Sequence, residues 1–155
     1  MTGVSNNVDV AQGPTASQAA GLTLAAAYRM LRAVESAARH MRVALSVAVV
    51  DSGDQLVAFA RMDAADLVSI RLARDKAFSA LMNRMPTGDL SHLVQPGAEF
   101  YGYDSLAGGR MIVFAGGMPL ERDGVLVGAV GVSGGSSDDD QRAADAAVAA
   151  FDEQP

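Results

Sequence analysis

The chain has 155 residues, half of them apolar and 19% charged, and its formal net charge is −6 at pH 7. This length and composition predict one compact domain rather than a disordered segment. The negative charge argues against a nucleic-acid partner, and the lack of a long apolar run argues against a membrane span or a signal peptide. The chain has no cysteine, which excludes disulfides and thiolate chemistry, and we expect a cytoplasmic protein.

The first forty residues predict an arm followed by a helix. Residues 1–19 are polar and have no apolar period, so we expect a flexible N-terminal arm before a domain over 20–153. Thr23 is a candidate N-cap for a helix over 24–40. Its predicted core-facing stripe has a period close to 3.6 residues and consists of Leu24, Ala27, Tyr28, Leu31, Val34 and Ala38.

The middle of the chain predicts a hairpin, a second helix and a long loop. A β-branched run over 43–50, a turn at 51–54 and a second run to Arg61 are typical of an antiparallel hairpin. The segment 66–84 has no Gly or Pro and carries a helical apolar stripe, and Pro86 marks its end. Residues 89–94 predict a short helix. The glycine-bearing segment 95–109 predicts a long loop, and loops of that length are often functional.

The last fifty residues contain an unusual break, Gly116-Gly117-Met118-Pro119, between two apolar β-prone runs at 111–115 and 125–132. Glycines without Cβ let a backbone turn or approach a ligand closely. The break is therefore either a candidate wall of a binding site or a simple bend in a hairpin. Ser137 is a candidate cap for a final helix through Phe151, with three aspartates at its positive end.

The order of elements is α-β-β-α-loop-β-β-β-α. Hairpin-linked strands favour an α/β (α+β) fold in which an antiparallel sheet of about five strands is flanked by helices. We therefore expect a single α+β domain rather than a doubly wound parallel fold.

Few residues offer catalytic chemistry. No dinucleotide or Walker motif is present, and the two histidines, His40 and His92, are isolated from other metal ligands, so no metal site is expected. His40 lies at a helix end, where a cation complements the helix dipole. His92 lies beside the long loop, where it is either an acid, a base or a haem ligand, or an ordinary surface histidine.

Lys76 is the only lysine of the chain. It is either a compact charge that binds a carboxylate or a surface lysine lying along its helix. In the long loop, Glu99 offers an acid and Tyr101 and Tyr103 offer hydroxyls. These four residues are candidates for a polar site.

Several motifs taken together resemble the GlcG/HbpS-like haem-binding family (DUF336). These motifs lie at 24–27, 47–53, 61–63, 76–80, 116–119 and 127–135. The segment 94–102 especially resembles the C-terminal domain of PduO-type corrinoid adenosyltransferases. The resemblance covers roughly residues 21–152.

The resemblance implies an antiparallel sheet flanked by helices and a homo-oligomer, from dimer to octamer. It also implies haem or a corrinoid as cofactor and a role in catabolism, although a few members are described as small-molecule enzymes. Haem-binding relatives are associated with a histidine in the first helix, where this chain has Tyr28. A tyrosine there can pack in the core or ligate haem iron.

Two functions follow. In the first, the protein binds haem, a corrinoid or another anionic small molecule. Its predicted ligand-binding residues are Arg61, Lys76, Tyr101, Tyr103, Gly116, Gly117, Met118 and Pro119. In the second, it is a cofactor-independent deaminase, hydrolase or tautomerase of an unsaturated carboxylate such as a muconate. Its predicted catalytic residues are then Lys76, Glu99 and His92.

Overall fold

The computed structural model of the protein describes residues 21–153, and the predicted arm over 1–19 lies outside them. The main elements are α1 (Leu24–Met41), β1 (Ser46–Asp51), β2 (Leu56–Arg61), α2 (Leu67–Asn83), β3 (Gly117–Arg122), β4 (Val125–Ser133) and α3 (Ser137–Asp152). Between α2 and β3 the chain forms 3-10 helices at Thr87–Leu93 and Tyr103–Ser105 and a short helical turn at Leu106–Gly109. The predicted α+β domain with an antiparallel sheet flanked by helices is confirmed.

The sheet has the strand order β2-β1-β4-β3, and every neighbouring pair is antiparallel. Alternate side chains face opposite layers. Val47 and Val49 of β1 belong to the core shared with α1 and α3, whereas Val50 packs with Ala77 and Leu81 of α2. Helix α2 therefore covers one face of the sheet, and α1 and α3 cover the other.

Within residues 21–153 the sheet has four strands rather than about five, because the apolar run at 111–115 is not a strand. Its backbone groups bond to side chains instead of to a neighbouring strand. The amide of Ile112 donates to Ser79 Oγ at 2.8 Å, and Thr87 Oγ1 donates to the Phe114 carbonyl at 2.7 Å. Contacts from distant parts of the chain thus override the local β propensity.

The Gly-Gly-Met-Pro segment also differs from the prediction, because Gly117, Met118 and Pro119 form the start of β3 rather than a break between strands. β3 lies at the edge of the sheet, where a proline can be accommodated without losing a ladder hydrogen bond. The glycine-rich segment therefore joins the irregular run at 111–115 to the sheet.

The three long helices begin and end within one residue of the predicted bounds. Thr23 caps α1, as predicted, since its hydroxyl accepts from the Ala26 amide at 3.1 Å. The cap of α3 is Ser136 rather than Ser137. Ser136 and Asp139 form a reciprocal capping box, in which each side chain accepts from the other's backbone amide.

Candidate functional site

A cavity of about 580 Å³ opens between α1 and the β1–β2 edge of the sheet. We call it the tyrosine cavity. It is lined by Tyr28, Leu31, Arg32, Val34, Glu35, Arg39, Leu45, Val47, Ala60, Arg61, Met62 and Asp63. Its floor is apolar and its rim is charged, which is the general composition of a small-molecule site.

Tyr28 lies in the wall of the tyrosine cavity and is 55% exposed, so the predicted packing role in the core is wrong. The side of α1 that faces the core carries Ala27, Met30 and Val34 instead. Among residues 21–153, β2 is the last strand of the sheet on this side, so no further strand of this described part covers the helix face that carries Tyr28. The phenol is therefore free to contact a ligand.

The charged rim of the tyrosine cavity has more arginine side chains than acidic ones. Arg39 donates to Glu35 Oε1 at 2.6 Å, which partly neutralises both groups. Arg32 and Arg61 have no ion-pair partner among residues 21–153. Guanidinium groups that are free to pair favour a ligand with carboxylate or phosphate groups.

Lys76 occupies a different place, the junction of α2, β4 and α3. Its Nζ donates to Asp140 Oδ2 at 2.6 Å and to the Val132 carbonyl at 3.0 Å. The side chains of Lys76 and Asp140 are 0% and 4% exposed. The Phe114 ring centroid lies 4.9 Å from the same Nζ, which adds a cation–π contact. The ammonium is thus fully engaged by groups of the protein itself.

Burial shifts the titration of both members of this pair. Desolvation lowers the pKa of the Lys76 amine, although the hydrogen bond and charge of Asp140 oppose the shift. Desolvation likewise raises the pKa of the Asp140 carboxyl, against the opposing influence of Lys76. Desolvation therefore opposes both charges, and each charge is stabilised by the other.

Gly116 and Gly117 lie against this same pair. A Cβ on Gly116, whose φ is +113°, would lie 2.6 Å from the Val132 carbonyl oxygen and 2.9 Å from Lys76 Nζ. A Cβ on Gly117 would lie 2.5 Å from the Lys76 carbonyl oxygen. In the structure, these glycines permit a close approach of protein groups around Lys76.

The next two residues of the motif, Met118 and Pro119, are half-buried in β3. Met118 Sδ accepts from Gln141 Nε2 at 3.2 Å. The motif therefore contacts both α2 and α3.

The predicted loop residues lie apart from Lys76 and Arg61. His92 and Glu99 are exposed, and Tyr101 is 69% exposed. Tyr103 donates from its hydroxyl to Asn83 Oδ1 at 2.6 Å, which ties the loop to the end of α2. The structure therefore brings together Lys76, Gly116 and Gly117, and it places Arg61 with Tyr28 instead.

Sequence reasoning missed two features of the site region. The sequence pattern places Asp140 only among three aspartates at a helix start, although the single lysine of the chain signals that a carboxylate partner exists. Arg32 and Arg39 are absent from the predicted site, although Arg32 follows Tyr28 by four residues and Arg39 follows Arg32 by seven, a spacing that places all three on one helical face.

Among residues 21–153, no group of three or more His, Cys, Asp or Glu side chains is arranged to hold a metal ion. In the same part of the chain, no helix has both the length and the apolar character needed to cross a membrane.

Comparison with known proteins supports the architecture. A family model described as haem degrading protein HbpS-like matches residues 22–149. The crystal structure of Klebsiella pneumoniae protein ORFY aligns with a TM-score of 0.86 at 36% identity, covering 93% of this chain and 99% of that one. The PduOC–haem complex aligns with a TM-score of 0.83 at 38% identity, covering 85% and 96%.

The corrinoid adenosyltransferase PduO of Salmonella typhimurium is 41% identical over 125 residues, which are 80% of this chain but only 37% of that protein. The likeness to this enzyme is therefore a likeness to one part of it. The family model, by contrast, spans most of the described residues. The chain belongs to the HbpS-like family.

Proposed function

We propose that the protein binds haem, or a similar planar anionic macrocycle, in the tyrosine cavity. The observation that carries the proposal is one cavity of about 580 Å³ that combines an apolar floor, the exposed phenol of Tyr28 and the guanidinium groups of Arg32 and Arg61, which have no ion-pair partner within residues 21–153. A related domain, 38% identical, is known as a complex with haem. That relationship supports the proposal.

The donor set fits haem chemically. Tyrosine is a known axial ligand of haem iron, and Tyr28 is the phenol of this cavity. Arg32 and Arg61 would pair with the propionate carboxylates, and Leu31 and Val47 would contact the ring. Bound haem would supply an iron centre, whereas the protein would contribute orientation, charge compensation and exclusion of water.

A titration with haemin tests the proposal. We expect the purified protein to give a saturable Soret shift, and Tyr28→Phe to lose the iron–phenolate spectrum and bind haemin more weakly. Tyr101→Phe is the matched control, because Tyr101 is an exposed tyrosine outside the cavity. An identical spectrum for wild type and Tyr28→Phe would overturn the role of Tyr28. No saturable shift in any of the proteins would overturn the haem site.

We also propose that the protein self-associates. Val68 at the start of α2 is 62% exposed, and Phe114, which lines the same surface depression as Val68, is 41% exposed. Exposed apolar side chains of this size are typical of an interface. Sedimentation equilibrium should show an oligomer that Val68→Glu weakens, and a monomeric wild type would contradict the proposal. The expected catabolic role remains a prediction.

A further inference from the structure

A second cavity, of about 490 Å³, lies on the outer side of α2, and its lining shares no residue with the tyrosine cavity. We call it the arginine cavity, lined by Leu67, Ile70, Arg71, Arg74, Asp75 and Arg110. Asp54, in the turn between β1 and β2, completes its wall. Three separate segments of the chain therefore converge on one opening.

Asp75 binds two of the three arginines that line the arginine cavity. Its side chain is 8% exposed, and it accepts from Arg71 Nε at 3.0 Å and from Arg110 Nε at 3.1 Å. Arg110 also donates from a terminal nitrogen to Asp54 at 3.1 Å and stacks over the Phe78 ring at 3.8 Å. Both guanidinium groups are thus held through Nε, which leaves terminal N–H donors for another acceptor.

The arginine cavity has more positive than negative charge. Three guanidinium groups face two carboxylates, and both oxygens of Asp75 already accept hydrogen bonds from arginine. Arg74 has no ion-pair partner among residues 21–153. This local excess occurs in a chain whose net charge is −6, so it is not a consequence of overall composition.

We infer that the arginine cavity binds a small organic acid through its carboxylate, separately from the ligand of the tyrosine cavity. Arg74 and the terminal nitrogens of Arg71 and Arg110 bind the carboxylate. Preorganised guanidinium groups suit a planar oxyanion because they donate two parallel hydrogen bonds. Leu67, which is 75% exposed, and half-buried Ile70 offer an apolar contact to the hydrocarbon part of the acid.

The probe is adipate, a six-carbon dicarboxylate, titrated calorimetrically into the full chain, with inorganic phosphate as the comparison. We expect saturable adipate binding that Arg74→Gln weakens about tenfold or more, since a hydrogen bond to a charged group is lost. Arg142→Gln on α3 is the matched control, because Arg142 is 66% exposed and does not line this cavity. It should bind adipate as the wild type does.

Three results would overturn the inference. The first is the absence of saturable adipate binding, and the second is an Arg74→Gln affinity equal to that of the wild type. The third is competitive displacement of adipate by haemin, since the two cavities would then not be separate sites.

Phosphate binding as tight as adipate binding would overturn the apolar contribution of Leu67 and Ile70. Arg71→Gln removes a second proposed donor and should also weaken adipate binding.

Discussion

Replacing Lys76 with methionine removes the ammonium from the buried pair with Asp140 and keeps a side chain of similar length. The Asp140 carboxylate then loses its 2.6 Å partner while its other oxygen still accepts from the Gly135 amide at 2.9 Å. Both side chains are almost fully inaccessible to solvent, so water cannot replace the lost donor. Breaking one half of a buried ion pair costs about 3–5 kcal/mol of the free energy of unfolding.

The assay is urea unfolding at neutral pH, followed by far-ultraviolet circular dichroism. Lys76→Met and Asp140→Asn should each lower the free energy of unfolding. The double variant should lose less than the sum of the two by about 0.5–3 kcal/mol, because paired groups are coupled. The control Arg142→Met removes a cation that is 66% exposed and should stay within about 0.5 kcal/mol of the wild type. If Lys76→Met did the same, the structural role assigned to this pair would be refuted.

The same proteins give a pH test. Burial lowers the pKa of Lys76 below its ordinary value of 10.5. Between the lowered and the ordinary pKa the unfolded chain binds more protons than the native one, so stability rises with pH. The raised pKa of Asp140 acts at acid pH in the opposite direction, since stability then falls as pH rises through its range. The free energy of unfolding of the wild type minus that of the double variant should therefore increase as the pH rises toward 10.5. A difference that stays constant or decreases would contradict the assigned shifts.

Two further substitutions, each with a control, test the close packing at Gly117 and the N-cap of α3. Gly117→Ala places a Cβ 2.5 Å from the Lys76 carbonyl oxygen, and overpacking of this kind should lower stability by about 1–3 kcal/mol. Gly53→Ala, whose Cβ would meet only Asp51 Oδ1 at 3.4 Å, is the near-neutral control in the same urea unfolding assay. Equal unfolding midpoints for Gly117→Ala and Gly53→Ala would contradict the close packing at Gly117. Ser136→Ala should cost about 0.5–2 kcal/mol through loss of the cap, whereas Ser137→Ala should cost little. If Ser137→Ala lowered the free energy of urea unfolding more than Ser136→Ala does, Ser137 rather than Ser136 would be the N-cap.

Much of the fold was predictable because its signals are local. Helix α1 has an N-cap at Thr23 and a regular apolar period, and the β1–β2 hairpin has a β-branched run followed by turn residues. The run at 111–115 has the same local signal as a strand. Its hydrogen bonds go to the side chains of Ser79 and Thr87, far away in the sequence, and local pattern cannot reveal such partners.

The candidate site was less predictable for the same reason. Helical spacing places Tyr28 on an apolar stripe, but only the strand order shows that β2 is the edge of the described sheet, beside the helix face that carries Tyr28. The single lysine is visible in the sequence, whereas Asp140 lies 64 residues away among aspartates that look solvated. Composition identified unusual residues, and only the packing of α2 against β4 and α3 identified their partners.

The measurement closest to the central claim is the visible spectrum of the purified wild-type protein during titration with haemin. Because the tyrosine cavity combines an apolar floor, the Tyr28 phenol and the guanidinium groups of Arg32 and Arg61, we predict a Soret band that shifts and saturates, with an iron–phenolate signature that disappears in Tyr28→Phe. A spectrum that remains the sum of free haemin and protein throughout the titration would contradict the proposed function.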